Sequence, residues 1–332
     1  GINHEAIGLA GHLGLGRLIV LWDDNRITID GSTDLSTSED IKARYVATGW
    51  HVESCDGHDF ADISKAIDAA LGDGRPSLIA CKTLIGKGAP NKQGTSATHG
   101  SPLGADEIAA ARAELGWNYP PFEVPADILD AWRAAGSRGG NEHAEWNNRL
   151  STNSNGAEFM RRMNGDLPQS SAMQDYLASL IANPAKVATR KASEMALEAL
   201  TAAIPELVGG SADLTGSNNT KTKNLTVVSP GDDSGRYIHY GIREHGMAAA
   251  MNGLTLHGGL LPAGATFVHG MLAGRTQSDI PNAADTVFVS AIANGKVYVA
   301  YGSIDPKVQI PACIAIRASY DKKAEQAEDD RG

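Results

Sequence analysis

Apolar segments that alternate with helical segments constrain the fold of this chain more than any other feature. Residues 18–22 form a short, continuous apolar run, and residues 51–55 and 77–83 also have strand patterns. Such runs are typical of buried strands in a parallel sheet. A helical pattern at 60–71 separates the second run from the third. The alternation therefore predicts an α/β fold in which crossover units build a parallel sheet.

The character of the chain changes after residue 116. Residues 119–125 contain three prolines, which exclude a regular helix and predict an extended linker. A helix at about 191–203 and a strand into Gly209 open a second domain. Between the linker and this domain, helical patterns predict a charged connecting arm with helices at 127–135, 142–163 and 173–182. We therefore predict four parts, with the bounds 1–116, 117–187, 188–267 and 268–332.

Charge and composition exclude several classes of partner. The formal net charge is −10, and this disfavours nucleic acid and anionic membranes, which require clustered Lys and Arg. No apolar run approaches the roughly 20 residues that span a bilayer. Cys55, Cys81 and Cys313 are too few and too scattered for a disulfide framework or a zinc site. We expect a cytoplasmic protein with neither nucleic acid nor membrane as a partner.

Local signals predict where several elements begin or turn. Residues 36–39 read Ser-Thr-Ser-Glu, which is a capping box, and predict the start of the helix that continues through Ile41. Asn294-Gly295 lies between strand patterns at 286–292 and 296–301, and it predicts a two-residue hairpin. Residues 321–332 are rich in Lys, Glu and Asp, and we expect a solvated tail.

Oxygen donors follow the first predicted strand directly. The sequence there reads Asp23-Asp24-Asn25, and ligands of open α/β sheets gather beyond the carboxyl ends of strands. Magnesium prefers oxygen ligands and keeps phosphate oxygens among them. The Asn25 side chain and the carbonyl of Ile27 could supply two such ligands. A polar turn without a metal is the alternative interpretation.

Groups suited to phosphate and to proton transfer occur at three further places. A loop at 86–94 with two lysines leads to His99, and imidazole is the side chain best suited to proton transfer near neutral pH. Arg190 precedes a predicted helix and Ser217 follows a predicted strand, and both could contact phosphate. A solvated loop with an incidental histidine is the alternative interpretation for His99.

Glu244 is the leading candidate for chemistry. It lies between Arg243 and His245 in the run His-Tyr-Gly-Ile-Arg-Glu-His-Gly-Met, which leads into a helix of small residues. A carboxylate flanked by glycines at a helix start can be approached closely by a flat ligand. Alternatively, Glu244 is a first-turn acid that the helix dipole favours and that pairs with Arg243.

Five motifs, taken in order, resemble the transketolase family of thiamine-diphosphate enzymes over residues 1–267. The family carries the aspartate-asparagine run and the glutamate-histidine run described above. The other motifs are Gly-Ile-Asn-His-Glu-Ala at 1–6, Thr-His-Gly-Ser-Pro-Leu-Gly at 98–104 and Gly-Gly-Ser-Ala-Asp-Leu-Thr-Gly-Ser-Asn at 209–218. The resemblance implies two thiamine-diphosphate-binding-type parallel-sheet domains, diphosphate-binding before pyrimidine-binding, both incomplete and joined by a helical linker.

The resemblance also implies a cofactor site with thiamine diphosphate and magnesium. Asn25 and the Ile27 carbonyl match family ligands of the metal. Glu244 matches the acid that hydrogen-bonds the aminopyrimidine ring. Asp213 matches a residue that lines the cofactor cleft, and Phe267 matches the first of several pocket aromatics.

The implied activity is transfer of a two-carbon glycolaldehyde unit from a ketose phosphate to an aldose phosphate. His99 matches a histidine near cofactor and substrate, while Arg190 and Ser217 match groups that hold the sugar phosphate. The resemblance implies a homodimer with the site at its interface. A relative of deoxyxylulose-phosphate synthase or dihydroxyacetone synthase is one alternative. A non-catalytic fragment that only folds, or that pairs with an intact subunit, is another.

The sequence departs from the family pattern at both ends. Gly1 matches the last glycine of the diphosphate motif, so the preceding Gly-Asp-Gly part and its metal-binding aspartate are not found. Beyond Phe267, two aromatic positions are occupied by Gly270 and Ala273, although Arg275 still matches. Each lost aromatic contact would cost about 1 kcal/mol. These departures predict impaired activity.

Overall fold

The structure is a computed structural model, and it describes residues 2–267, 287–293 and 296–302. Packing divides the chain into two units. The first unit is Ile7–Thr152, and the second joins the first six residues to the chain from Asn153 onward. The division falls inside the arm predicted at 117–187, and the bounds of the four predicted parts remain predictions.

The first unit contains a three-stranded parallel sheet in the order β1-β5-β4. A separate antiparallel pair, β2 and β3, follows β1. The strands are β1 Ile19–Asp24, β2 Ile27–Thr28, β3 Gly31–Ser32, β4 His51–Asp56 and β5 Ser77–Lys82. The helices are α1 Ile2–Leu13, whose residues before Ile7 belong to the second unit, and α2 Ile41–Ala47, α3 Phe60–Gly72, α4 Ala105–Glu114, α5 Ala126–Ser137 and α6 Gly139–Thr152. The predicted α/β fold with parallel strands is confirmed.

The central strand β5 is buried on both faces, which explains its continuous apolar sequence. On one face Leu78 packs with Tyr45 of α2 and with Trp50. On the other face Ile79 packs with Ala66 and Ala70 of α3. Helices α2 and α3 therefore cover opposite faces of the sheet.

Two cysteines that are far apart in the sequence are neighbours in this sheet. Cys55 of β4 lies opposite Cys81 of β5, and both are buried and free. Burial and the neighbouring Cys81 raise the pKa of Cys55 to about 11. The Cys55 thiol is therefore protonated at neutral pH, and both cysteines belong to the apolar core.

The capping box predicted at 36–39 is wrong. Helix α2 begins at Ile41, and its N-cap is Asp40, whose Oδ1 accepts a hydrogen bond from the Ala43 amide at 3.0 Å. Glu39 instead forms an ion pair with Arg44. Aspartate directly before the helix satisfies a free amide, so the box upstream has no such role.

The single long helix predicted at 142–163 is also wrong, because residues 153–155 interrupt it. Asn153 Oδ1 accepts a hydrogen bond from the Asn155 amide at 2.8 Å, a local bond that competes with the helical pattern. The chain then resumes as α7, Gly156–Met163. The segment at 119–125 contains neither helix nor strand, as predicted, but it is not extended throughout. The Glu123 amide donates to the Pro120 carbonyl at 3.2 Å, and Phe122 between them has a φ of 65°.

The second unit contains a five-stranded sheet in the order β10-β9-β8-β6-β7. Strand β6 is parallel to β7 and β8, and β9 is antiparallel to both β8 and β10. The strands are β6 Leu207–Ser211, β7 Tyr237–His239, β8 Leu261–Phe267, β9 Val287–Ala293 and β10 Lys296–Gly302. The helices from α8 onward are α8 Ala172–Ala182, α9 Thr189–Ala203, α10 Thr215–Asn218 and α11 Glu244–His257.

The predicted hairpin is confirmed by the register of its strands. Ala293 pairs with Lys296, so only the two predicted turn residues separate β9 from β10, and these two lie outside the described residues. Gly270, Ala273, Arg275 and the predicted tail at 321–332 also lie outside them. None of the helices in the described ranges has both the length and the apolar character that a membrane span requires.

Candidate functional site

The carboxyl end of β1 brings two predicted metal ligands together. Asn25 Oδ1 accepts a hydrogen bond from the Ile27 amide at 3.0 Å, which fixes the orientation of the asparagine side chain. Arg26 between them has a φ of 62°, a left-handed conformation that sharpens the turn. The Asn25 amide nitrogen lies 3.5 Å from Asp23 Oδ2. The turn therefore holds an amide oxygen two residues from a second candidate ligand, the backbone carbonyl of Ile27.

This donor set fits a magnesium ion that shares its coordination with phosphate. The Asn25 oxygen has a second lone pair beyond the one that Ile27 uses. Among the residues that the structure describes, no group of three or more His, Cys, Asp or Glu side chains could hold a metal ion. Two oxygens from this turn would therefore need phosphate and water oxygens beside them, as magnesium sites commonly have.

A cavity of about 850 Å³ opens at the same edge of the first sheet. The ends of all three parallel strands line it, together with Lys42 of α2 and Asp62 of α3. Here the chain passes from the α2 face of the sheet to the α3 face, which is where ligands of open α/β sheets bind. His58 also lines it, and its Nε2 accepts a hydrogen bond from the Leu84 amide at 2.8 Å.

His99 lies at the end of the loop that follows β5. It is exposed, it caps a short 3₁₀ turn at Ser96–Thr98, and its amide donates to the Ser96 carbonyl at 3.0 Å. The loop is held by Glu107, which is buried and accepts two hydrogen bonds from Asn91, both at 2.9 Å. Lys92 donates to the Leu103 carbonyl at 2.7 Å, so this lysine supports the loop. The loop that carries the His99 imidazole is thus held in place by these hydrogen bonds.

Asp213 and Ser217 follow the carboxyl end of β6 in the second unit. Both are exposed, and Ser217 belongs to the short helix α10. Asp213 has a φ of 57°, so this non-glycine residue is held in a left-handed conformation. Arg190 belongs to another element, the first turn of α9, and is also exposed. The two exposed residues after β6 and the exposed arginine are thus free to meet a ligand.

A buried polar network supports the turn after β6. Asn218 Nδ2 donates to Ser211 Oγ at 2.8 Å and to the Ala265 carbonyl at 3.2 Å. Asn218 Oδ1 accepts from the Thr220 hydroxyl at 2.9 Å, and Thr220 also bonds the Tyr237 hydroxyl. All these side chains are buried. Sequence reasoning missed this network, although the run of small polar residues after β6 is a weak signal for it.

Glu244 is the first residue of α11, as predicted, and it is partly buried. The pairing with Arg243 proposed in the alternative interpretation is not the contact that forms, since Arg243 Nη1 donates to the Tyr240 carbonyl at 2.8 Å. Gly246, two residues further on, donates its amide to Glu5 Oε2 at 2.6 Å. A second carboxylate therefore caps the helix start that carries Glu244, and nothing in the sequence pattern signalled Glu5.

Tyr240 and Phe267 lie at the carboxyl ends of β7 and β8. Tyr240 is buried, and burial raises the pKa of its hydroxyl to about 12. Phe267 is the last residue of β8. Strands β6, β7 and β8 run parallel, so their carboxyl ends share one edge of the sheet. Asp213 follows β6, Glu244 follows β7, and Phe267 ends β8. Four predicted site residues, these three and Ser217, therefore follow or end strands of the same sheet edge.

Comparisons with known proteins match two consecutive parts of the chain. A family profile described as the thiamine diphosphate binding domain of transketolase matches residues 1–168, and one described as the transketolase pyrimidine binding domain matches residues 185–284. The chain is 59% identical over 271 residues to a transketolase of Cereibacter sphaeroides, covering 81% of this chain and 41% of that protein. It is 53% identical over 271 residues to that of Rhodobacter capsulatus, covering 80% and 40%.

Solved structures of transketolases are similar as well. The enzyme from Leishmania mexicana superimposes with a TM-score of 0.75 at 39% identity, covering 82% of this chain and 41% of that one. A complex of the Pichia stipitis enzyme with sedoheptulose-7-phosphate gives a TM-score of 0.71 at 40% identity, covering 78% and 40%. The chain thus spans about two fifths of the length of these relatives.

Proposed function

Because this chain belongs to the transketolase family, we propose that it serves the transfer of a two-carbon glycolaldehyde unit from a ketose phosphate to an aldose phosphate. The observation that carries the proposal is the turn after β1, where Asn25 and Ile27 are held together at the carboxyl edge of the sheet. Relatives from this family have been solved with sugar phosphates such as sedoheptulose-7-phosphate. That supports the substrate class.

We assign the cofactor-binding roles to residues of both units. Asn25 and the Ile27 carbonyl would hold magnesium, and magnesium would hold the diphosphate. Asp213 and Phe267 would line the cleft for the ring system. When bound, thiamine diphosphate supplies the nucleophilic carbon at which carbon–carbon bonds are broken and made.

We assign proton handling and substrate binding to four residues. Glu244, at the start of α11, would hold a proton against the aminopyrimidine ring nitrogen. His99 would bind a substrate hydroxyl and move its proton, the role to which an imidazole side chain is best suited. Arg190 and Ser217 would bind the phosphate of the sugar, the former by a fork of donors. Two copies of the chain would share the site as a homodimer.

Calorimetric titration of the full chain with thiamine diphosphate and magnesium tests this proposal, with the mass in solution from light scattering. We expect binding that requires magnesium, and weaker binding for Asn25→Ala. Asn141→Ala, an exposed asparagine in α6, is the matched control and should bind like the parent. Glu244→Ala should keep most of the diphosphate affinity and lose turnover of a ketose phosphate.

Other outcomes would support the alternatives. Absence of cofactor binding by the parent chain would indicate a non-catalytic member of the family, in which Glu244→Ala leaves any binding to an intact subunit unchanged. Efficient turnover of pyruvate would indicate chemistry like that of deoxyxylulose-phosphate synthase. Preferred turnover of ketose phosphate, lost in Glu244→Ala, would support the assignment to sugar-phosphate transfer.

A further inference from the structure

We propose that Arg26 is an additional anion-binding residue that contacts the diphosphate of the cofactor, an inference that rests on the proposed function. The position of Arg26 in the chain supports this role. Arg26 lies between the two residues proposed to hold magnesium, at the carboxyl end of β1. Arg26 also lines the cavity at this edge, so its side chain is next to both proposed metal ligands in the chain and faces the space where a ligand would bind.

The backbone conformation of Arg26 also supports a role for its side chain. Its φ of 62° lies in the left-handed region, which glycine adopts freely and which a long side chain adopts at a cost. Its carbonyl accepts a hydrogen bond from the Thr33 amide at 3.0 Å, so the conformation is part of the turn. A costly residue kept at a ligand edge is a reason to look for a functional role of its side chain.

The guanidinium is both positioned and accessible. Its Nε lies 2.8 Å from Asp24 Oδ1, and the Asp24 side chain is only 15% exposed. The Arg26 side chain is 68% exposed, so donors remain for a ligand. Arginine carries five donors in a planar fork, and this fork matches the oxygens of a phosphate group. Asp24 thus restrains the side chain without burying it.

The charges around Arg26 favour a metal-bound anion over a free one. Asp23 and Asp24 flank the turn, and Asp24 is neutralised by Arg26 itself. Lys42 and Lys82 line the same cavity, as do Asp34, Asp56 and Asp62. A bare phosphate would therefore meet carboxylates as well as cations. A magnesium-bound diphosphate brings its own positive charge, and this offsets the carboxylates.

Two substitutions separate the charge of Arg26 from its backbone. Arg26→Gly removes the cation and relieves the left-handed conformation, whereas Arg26→Ala removes the cation and keeps the strain. We expect both variants of the full chain to bind thiamine diphosphate with magnesium about tenfold to a hundredfold more weakly by calorimetry, the loss typical of a charged hydrogen bond. The unfolding midpoint should be equal or higher for Arg26→Gly and lower for Arg26→Ala.

Controls identify the group that Arg26 contacts. Inorganic pyrophosphate with magnesium should show the same loss in both variants, and thiamine without phosphate should bind all chains equally. Arg17→Ala, an exposed arginine before β1, should match the parent throughout. Parent-like affinity in either variant overturns the inference alone, and so does a loss confined to Arg26→Ala. A parent chain that binds neither diphosphate ligand overturns the inference together with the proposed function.

Discussion

Each of the two sheet edges that hold candidate site residues has an asparagine, and the hydrogen bonds of these two asparagines differ in range. At the edge of the first sheet, Asn25 bonds the amide of Ile27, only two residues away. At the edge of the second sheet, Asn218 bonds the carbonyl of Ala265, which is 47 residues away. The turn that holds Asn25 is therefore local and is specified by its own residues. The turn that holds Asn218 depends on distant parts of the chain being folded already.

This difference predicts where substitutions damage the fold and where they damage only binding. The polar groups of the first edge are partly exposed, so water can replace a lost partner. Asn218 and Thr220 are buried, so bulk water cannot replace a hydrogen-bond partner that is lost there. Binding and stability should therefore be separable at the first edge and coupled at the second.

Asn218→Ala should have the largest effect on stability. The substitution removes three buried hydrogen bonds, with Ser211, the Ala265 carbonyl and Thr220, and we expect a loss of about 2 kcal/mol. Chemical denaturation, with hydrogen exchange of β6 and β8, measures the loss. Ser217→Ala is the matched control in the same short helix, and we expect it to change stability by less than about 0.5 kcal/mol. Equal stability of the two variants would contradict the comparison.

A second long-range contact joins the arm to the sheet of the second unit. Glu206 is buried before β6, and its carboxylate accepts two hydrogen bonds from Arg161 of α7, at 2.8 and 3.0 Å. Burial alone would raise the pKa of Glu206, but the hydrogen bonds from Arg161 outweigh it and lower the pKa. Bonds from Arg161 and Arg162 likewise lower the pKa of Glu158 to about 2.

These lowered pKa values make the network sensitive to acid. A carboxylate whose pKa is lower in the folded state stabilises the fold above its unfolded pKa, and the contribution disappears as the pH falls through the folded pKa. For Glu158 this window runs from 4.5 down to about 2. The network therefore makes its full contribution to the stability of the fold at neutral pH, and this contribution decreases progressively in acid.

Glu206→Gln should have a smaller effect than Asn218→Ala, because glutamine keeps an acceptor for Arg161. We expect the variant to unfold at a lower denaturant concentration than the parent at pH 7. The gap between the two unfolding midpoints should narrow by pH 3. Glu194→Gln removes a surface ion pair with Lys191 and is the matched control, for which we expect almost no gap at either pH. A gap for Glu206→Gln that stays constant with pH would contradict the role of its charge.

The same contrast explains how much the sequence could predict. The order of β1, β4 and β5 with α2 and α3 between them, the hairpin between β9 and β10, and Glu244 at the start of α11 follow from periodicity and motifs. Helix α4 and strand β7 were not predicted. Motifs also indicated the candidate residues at both edges. Glu5, Glu206 and Asn218 could not be predicted in their structural roles, because their partners are brought to them only by the folded chain. Short-range bonds can be read from spacing, whereas long-range polar contacts cannot.

Even a local hydrogen bond is hard to predict from the sequence when two residues could make it, and the start of α2 is an example. Asp40 Oδ1 accepts the Ala43 amide at 3.0 Å, although the upstream Ser36 has the stronger sequence signal. Asp40→Ala should cost about 1 kcal/mol, the typical value of an N-cap, while Ser36→Ala should change stability by a few tenths at most. Paired denaturation curves decide between the two. A larger loss for Ser36→Ala would restore the capping box and would place the first turn of the helix upstream of Ile41.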